Sequence, residues 1–277
     1  MDSDGGASIA GELGESCEIV GGLAHSGIIL LCDHASNRLP PAYGTLGLSP
    51  DQLQRHIAYD IGIEGVTRQL AATLRCPAVL TRYSRLLIDP NRGEDDPTLI
   101  MRLSDGAIIP GNRHLDDAER EHRIATYYRP YHEAIRRTWA GCAGTGRSPA
   151  LLGPALLGMH SFTDTWKGSR RPWHAGVLWE KDERLALPLL AALRAESDLV
   201  VGENEPYPGQ YEGDTLWQHG TVPGRAFAAI EVRQDLIATP EGQKAWGARL
   251  ARILARLLET PGLVESFAPR PRAGSAP

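Results

Sequence analysis

The 277-residue chain has no long apolar run. Nothing in it approaches the roughly 18 consecutive apolar residues of a membrane helix, which argues against a membrane span. Cysteine is scarce: Cys17, Cys32, Cys76 and Cys142 are widely spaced and form no C-x-x-C pair, which excludes a zinc knuckle and a dithiol redox motif. Cys32 and Cys76 lie in or beside apolar runs and read as small buried hydrophobes, so any metal must be held by nitrogen and oxygen. Neither sign of charge dominates. A net charge of -5 leaves no basic footprint for nucleic acid. The acidic, glycine-rich start Met1–Glu18 has neither the charged nor the apolar region of a secretory signal, and the expectation is a cytoplasmic protein. No internal repeat divides the chain.

What is present is an alternation of short apolar runs and amphipathic segments. Residues 1–22 are small, acidic and aperiodic and read as a flexible N-terminal arm; 23–265 read as one α/β domain and 266–277 as a disordered tail. Strands are expected at 27–32, 77–80, 199–201, and in the runs that end at His160 and Glu231. Helices are expected from Ser49-Pro50, where serine caps and proline opens the first turn, and over 62–74, 117–139, 185–193 and 242–259. Such alternation predicts a mainly parallel or mixed sheet with helices on both faces.

Three of the apolar runs stop at a residue able to bind a metal or move a proton. Ile28–Cys32 leads into Asp33-His34, Ala155–Met159 into His160-Ser161, and Ala226–Ile230 into Glu231. In open α/β sheets the functional groups gather at strand ends, so two histidines and a glutamate are expected to meet. That is the minimum set for a zinc hydrolase, with His34 and His160 as ligands and Glu231 as general base. A structural salt bridge from Glu231 to Arg233 is the alternative.

Five segments in order carry a resemblance: Cys32-Asp33-His34-Ala35-Ser36-Asn37, Ser84-Arg85 with Asp89-Pro90-Asn91-Arg92, Gly158-Met159-His160-Ser161-Phe162, Asn204-Glu205-Pro206-Tyr207, and Ile230-Glu231-Val232-Arg233-Gln234-Asp235-Leu236. Together they resemble the N-formylglutamate amidohydrolase family. The resemblance implies a zinc exopeptidase-like (phosphorylase/hydrolase-like) fold and one zinc per chain. It also implies hydrolysis of N-formyl-L-glutamate to formate and L-glutamate in histidine degradation. Related exopeptidases place a glutamate ligand three residues after the first histidine, where this chain has Asn37, a poor zinc ligand. Asp60 is the substitute, at the helix entry where the similar zinc peptidoglycan amidases carry their glutamate; its alternative role is a helix N-cap.

A dianionic substrate calls for arginine, which binds carboxylates bidentately and keeps its charge. Arg85 and Arg92 lead, and Asn91-Arg92 resembles the pair that holds the substrate carboxylate in zinc carboxypeptidases and aspartoacylases. Arg233 would share the side of its strand that carries Glu231. Tyr207 is expected to close on the substrate, with 203–210 and 213–224 forming a lid that includes His219. Ser161 and His132 read as hydrogen-bonding support, and His25, His56, His114, His122 and His174 receive no role. A small-molecule substrate is the expected partner, with no nucleic acid and no membrane, and oligomeric state stays open. Two other possibilities stand beside the amidohydrolase: a metallohydrolase for another N-acyl amino acid or small peptide, and a metal-free binding protein on a degenerate hydrolase scaffold.

Overall fold

The apolar runs become the middle of a mixed seven-stranded sheet in the computed structural model, which describes residues 15–22, 27–143, 153–209 and 211–270. In chain order the elements are β1 (Cys17–Val20), β2 (Ile28–Cys32), α1 (Pro50–Leu53), α2 (Ile63–Leu74), β3 (Ala78–Thr81), β4 (Leu103–Ser104), β5 (Ala107–Ile108), α3 (Asp117–Arg123) and α4 (Arg129–Ala143). There follow β6 (Ala155–Phe162), β7 (Thr165–Trp166), β8 (Ser169–Arg170), β9 (Ala175–Leu178), α5 (Glu183–Arg194), β10 (Val201–Glu203), β11 (Phe227–Arg233), α6 (Pro240–Leu258) and α7 (Leu263–Ser266). The sheet runs β1-β3-β2-β6-β11-β9-β10. Its centre, β3-β2-β6-β11, is parallel, whereas β1 and β9 run against their inner neighbours.

Every residue of β2 and β11 is buried, because helices cover both faces. On one face α2, α5 and α6 press apolar stripes onto Leu30, Leu157, Met159, Ile230 and Val232. The α6 stripe is Trp246, Leu250 and Leu254 at four-residue spacing, and Thr239 caps that helix by accepting from the Gly242 N–H. On the other face α4 covers Ile29, Leu31, Leu156 and Ala229 through Tyr131, Ala134 and Ile135. No helix among the described residues is long and apolar enough to cross a membrane.

Four expectations need correction. The arm expected over 1–22 includes β1, which pairs along Cys17–Val20 with β3; an edge strand needs only one partner and gives little periodic signal. The tail expected from 266 begins inside α7, and the chain is held as far as Arg270, whose N–H donates to the Gly224 carbonyl at 2.8 Å; residues 1–14 and 271–277 lie outside the described residues. The single helix expected over 117–139 is interrupted by a π turn at Ile124–Tyr128. Pro130 lacks an N–H for the carbonyl one turn back, and the wider turn absorbs the mismatch. Finally, β6 and β11 do not stop at His160 and Glu231 but continue to Phe162 and Arg233.

Candidate metal centre and substrate cavity

Alternation along a strand puts every second side chain on the α4 side of the sheet. In β6 these are Leu156, Gly158 and His160; in β11 they are Phe227, Ala229 and Glu231; and the parallel register sets Glu231 beside His160. Gly158 and Ala229 are small, which leaves space below the two polar groups. β2 ends at Cys32, so Asp33 and His34 pass over the sheet end, where the Asp60 N–H donates to the His34 carbonyl at 3.0 Å.

Asp60 does not cap the following helix. The N-cap is Gly62, left-handed at φ 81°, with no side-chain cap. The Asp60 carboxylate turns inward instead: Oδ2 lies 3.0 Å from His160 Nδ1 and Oδ1 lies 3.4 Å from His34 Nδ1. One donor atom from each of these three buried residues lies within 4.8 Å of the other two.

Each imidazole is held from behind. His34 Nε2–H donates to Asp89 Oδ1 at 2.8 Å, and His160 Nε2 sits 3.3 Å from Asp33 Oδ2. Arg85 Nη1 lies 3.3 Å from His34 Nδ1. With Nε2 held by Asp89, Nδ1 is the nitrogen turned towards Asp60, the arrangement a metal-binding imidazole needs. Burial opposes ionisation of Asp33, Asp60 and Asp89, yet the neighbouring imidazoles and, for Asp89, Arg85 hold all three below the usual carboxylate range. Three ionised carboxylates against the one guanidinium of Arg85 leave two negative charges to be offset. Protons on both imidazoles would do it, and so would one divalent cation among the three donors. Two imidazole nitrogens and a carboxylate oxygen are a donor set that suits zinc.

Glu231 completes the group. Its Oε2 is buried without a hydrogen-bond partner, and burial pushes its carboxyl up to about 7. His34, Asp60, His160 and Glu231 all line one cavity of about 270 Å³, walled on its apolar side by Leu178, Leu216 and Ala229. A carboxyl that gains and loses a proton near neutrality, beside three donors able to hold a cation and within a small cavity, is suited to hydrolysis.

A sequence profile of the N-formylglutamate amidohydrolase family matches residues 26–238. The chain belongs to this family. Among solved structures, a gene product from Agrobacterium tumefaciens is similar at 33% identity with a TM-score of 0.79, over 88% of this chain and 95% of that one. An N-formylglutamate amidohydrolase from Ralstonia eutropha shares the fold at 20% identity and a TM-score of 0.70, over 88% of this chain and 97% of that one. No curated protein matches the sequence.

Of the residues singled out from the family's motifs, Arg85, Asn91, Arg92 and Tyr207 line the cavity. Arg85 is largely spent: its Nε and Nη2 donate to Asp89 Oδ2 at 3.1 and 2.6 Å. Arg92 is not, for it makes no ion pair among the described residues, donating to the Asn91 carbonyl and facing the Tyr211 ring at 5.8 Å. Arg233 does not reach the cavity. Continuing two residues beyond Glu231, it is held by Asp235 and the carbonyls of Arg171 and Trp173, so neither a substrate contact nor a Glu231 salt bridge is formed. Asn37 is also remote, donating to the Leu53 carbonyl. The segment expected as part of a lid is a π turn at Trp217–Thr221, with His219 buried against His132.

Asp33, Asp89 and His56 are among the residues near the site to which the sequence assigns no role. Asp33 and Asp89 sit inside motifs noted for their histidine and arginine, and their adjacency to those residues was the available signal. His56 lines the cavity from a turn with no motif around it.

Proposed function

We propose that the protein hydrolyses the amide of N-formyl-L-glutamate to formate and L-glutamate, with one zinc ion held by His34, Asp60 and His160. The observation that carries this reading is Glu231: a buried carboxylate with an unpartnered oxygen, next to a convergent donor set, in a cavity sized for a small molecule. Zinc bound there supplies Lewis-acid activation of water and of the amide carbonyl.

Glu231, ionised, takes a proton as water attacks the formyl carbon, and gives it to the nitrogen as the carbon–nitrogen bond breaks. A carboxyl titrating at about 7 is a strong enough base to take the proton and still acidic enough to give it up. Asp89 and Asp33 fix the imidazole ring planes through Nε2. Arg92, unpaired and next to the Asn91 side chain, binds a substrate carboxylate, and the Tyr207 hydroxyl faces the cavity as a hydrogen-bonding group. That reaction would place the protein in histidine degradation in the cytoplasm.

The test is formate release from N-formyl-L-glutamate, run beside a panel of N-formyl and N-acetyl amino acids, on protein purified without chelator and assayed for metal. Stoichiometric zinc with N-formylglutamate as the best substrate is the expected result. A faster reaction with another N-acyl amino acid would move the assignment to that substrate, and protein without metal or hydrolysis would favour a binding role.

A further inference from the structure

Four arginines are buried among the described residues: Arg123, Arg171, Arg184 and Arg233. Arg123 pairs with Glu119, Arg184 with Asp182, and Arg233 with Asp235. Arg171 makes no ion pair among the described residues, although it is only 8% exposed; its charge is felt by the buried Glu231 carboxyl. Burying a guanidinium without an anion is costly, and such a group persists where an anion arrives from outside or where function demands it.

Arg171 stands directly behind the cavity wall. Its Nη1 donates to the Thr163 carbonyl at 3.2 Å, to Thr163 Oγ1 at 2.9 Å and to the Tyr207 hydroxyl at 3.3 Å. The guanidinium carbon lies 5.0 Å from the Tyr207 ring centroid and 5.6 Å from each of Phe162 and Trp166. Phe162, Thr163 and Tyr207 line the cavity that holds Glu231 and the three metal donors. The hairpin β7–β8 sets this position: the chain leaves β6, turns through Trp166, and returns with the Arg171 N–H on the Asp164 carbonyl at 2.8 Å. Aromatic faces hold the cation without neutralising it, which preserves its charge for a ligand.

Two arginines without an ion pair among the described residues thus stand at the cavity, Arg92 lining it beside Tyr211 and Arg171 one layer back behind Tyr207. We propose that Arg171, standing behind Thr163 and Tyr207, directs its charge and the Tyr207 hydroxyl onto one of the two carboxylates of a dianionic N-acyl amino acid, with Arg92 taking the other, so that the pair sets a preference for acidic substrates. This rests on the amidohydrolase reading above for its choice of substrate class.

Three substrates separate the roles: N-formyl-L-glutamate, N-formyl-L-glutamine, which keeps only the α-carboxylate, and 4-formamidobutanoate, which keeps only the other. Arg171→Gln should lower kcat/KM for the dianion by about 10²-fold, the scale of leaving a buried charge without its partner. On one of the two monoanions the loss should shrink to less than about threefold, because the carboxylate served by Arg171 is already missing. Arg171→Lys should recover part of the activity. Melting temperature and metal content of both variants establish that the fold survives. Equal losses on all three substrates would make Arg171 structural, and no loss on the dianion would also overturn the proposal. Should the wild-type protein hydrolyse none of them, calorimetry with glutarate and butyrate still decides: the wild type should prefer glutarate, and Arg171→Gln should remove that preference. Absence of glutarate binding to the wild type, or an unchanged preference in the variant, would defeat the proposal independently of the reaction.

Discussion

At the scale of single residues, the site depends on where each charge is spent. A sequence shows that a carboxylate or guanidinium exists, but not whether a neighbour has already neutralised it. Arg85, Arg92 and Arg233 looked alike as candidates; folding commits Arg85 to Asp89 and Arg233 to Asp235 and leaves Arg92 without an ion pair among the described residues. Glu231 is the opposite case, a carboxylate with one oxygen left unpartnered. Glu231→Gln keeps the shape and removes the proton acceptor. It should lower kcat by about 10²- to 10⁴-fold with metal content and stability kept, measured by formate release, metal analysis and thermal melts. Loss of metal together with activity would instead make Glu231 a ligand. Asp89 acts one step further out, accepting from His34 Nε2 and from the Asn91 N–H at 2.9 Å. If His34, Asp60 and His160 hold a metal as proposed, Asp89→Asn should weaken its affinity by about 10- to 100-fold in a chelator competition, and unchanged affinity would show that His34 needs no orienting carboxylate.

At the scale of elements, β2, β3, β6 and β11 were legible because a strand buried on both faces reads as a continuous apolar run. β9 was not. Gly176 interrupts its short apolar run, yet the strand lies against β11 with Gly176 opposite Glu231. Gly176 is there for space: a Cβ at this position would run into the carbonyl oxygen of Glu205. The π turn before α4 was equally invisible, since apolar spacing continues through it. Its consequence is functional, for the rewound helix directs the Tyr131 hydroxyl to Asp33 Oδ1 at 2.6 Å and the Tyr128 hydroxyl to the Arg92 carbonyl at 2.7 Å. Gly176→Ala should force β9 and the 204–206 turn apart, costing about 1–3 kcal/mol as overpacking does. Denaturant unfolding would measure the cost, and the shift beside Glu231 should lower kcat as well. A variant of wild-type stability would mean that Glu205 yields freely.

At the scale of the whole molecule, alternating strands and helices were enough to indicate one α/β unit with a mixed sheet, because that pattern has few ways to bury its apolar faces. Long-range polar pairing was not legible, and the stacked His132–His219 pair illustrates why: its members are far apart in sequence and neither lies in a motif. His132 Nε2–H donates to the Pro90 carbonyl at 3.1 Å, which leaves Nδ1 to accept from His219 Nε2–H at 2.8 Å. Both rings are therefore held neutral. Burial pushes His132 down from 6.5 to about 4, and burial reinforced by His132 pushes His219 lower still. The unfolded chain binds these protons and the folded one refuses them. Stability from the pair is therefore complete above pH about 6.5 and is lost as pH falls from there towards about 4, by about 3 kcal/mol for His132 alone. Because the pair ties α4 and the π turn at 217–221 to the carbonyl of Pro90, next to the cavity-lining Asn91 and Arg92, acid should loosen that loop along with the fold. Denaturant unfolding of the wild type and of a His132→Asn, His219→Asn double variant between pH 4.5 and 7.5 measures this. The wild type should lose stability steeply over that range, and the double variant, though weaker at neutral pH, should show a shallower slope. Parallel slopes would mean that the acid sensitivity of the fold originates elsewhere.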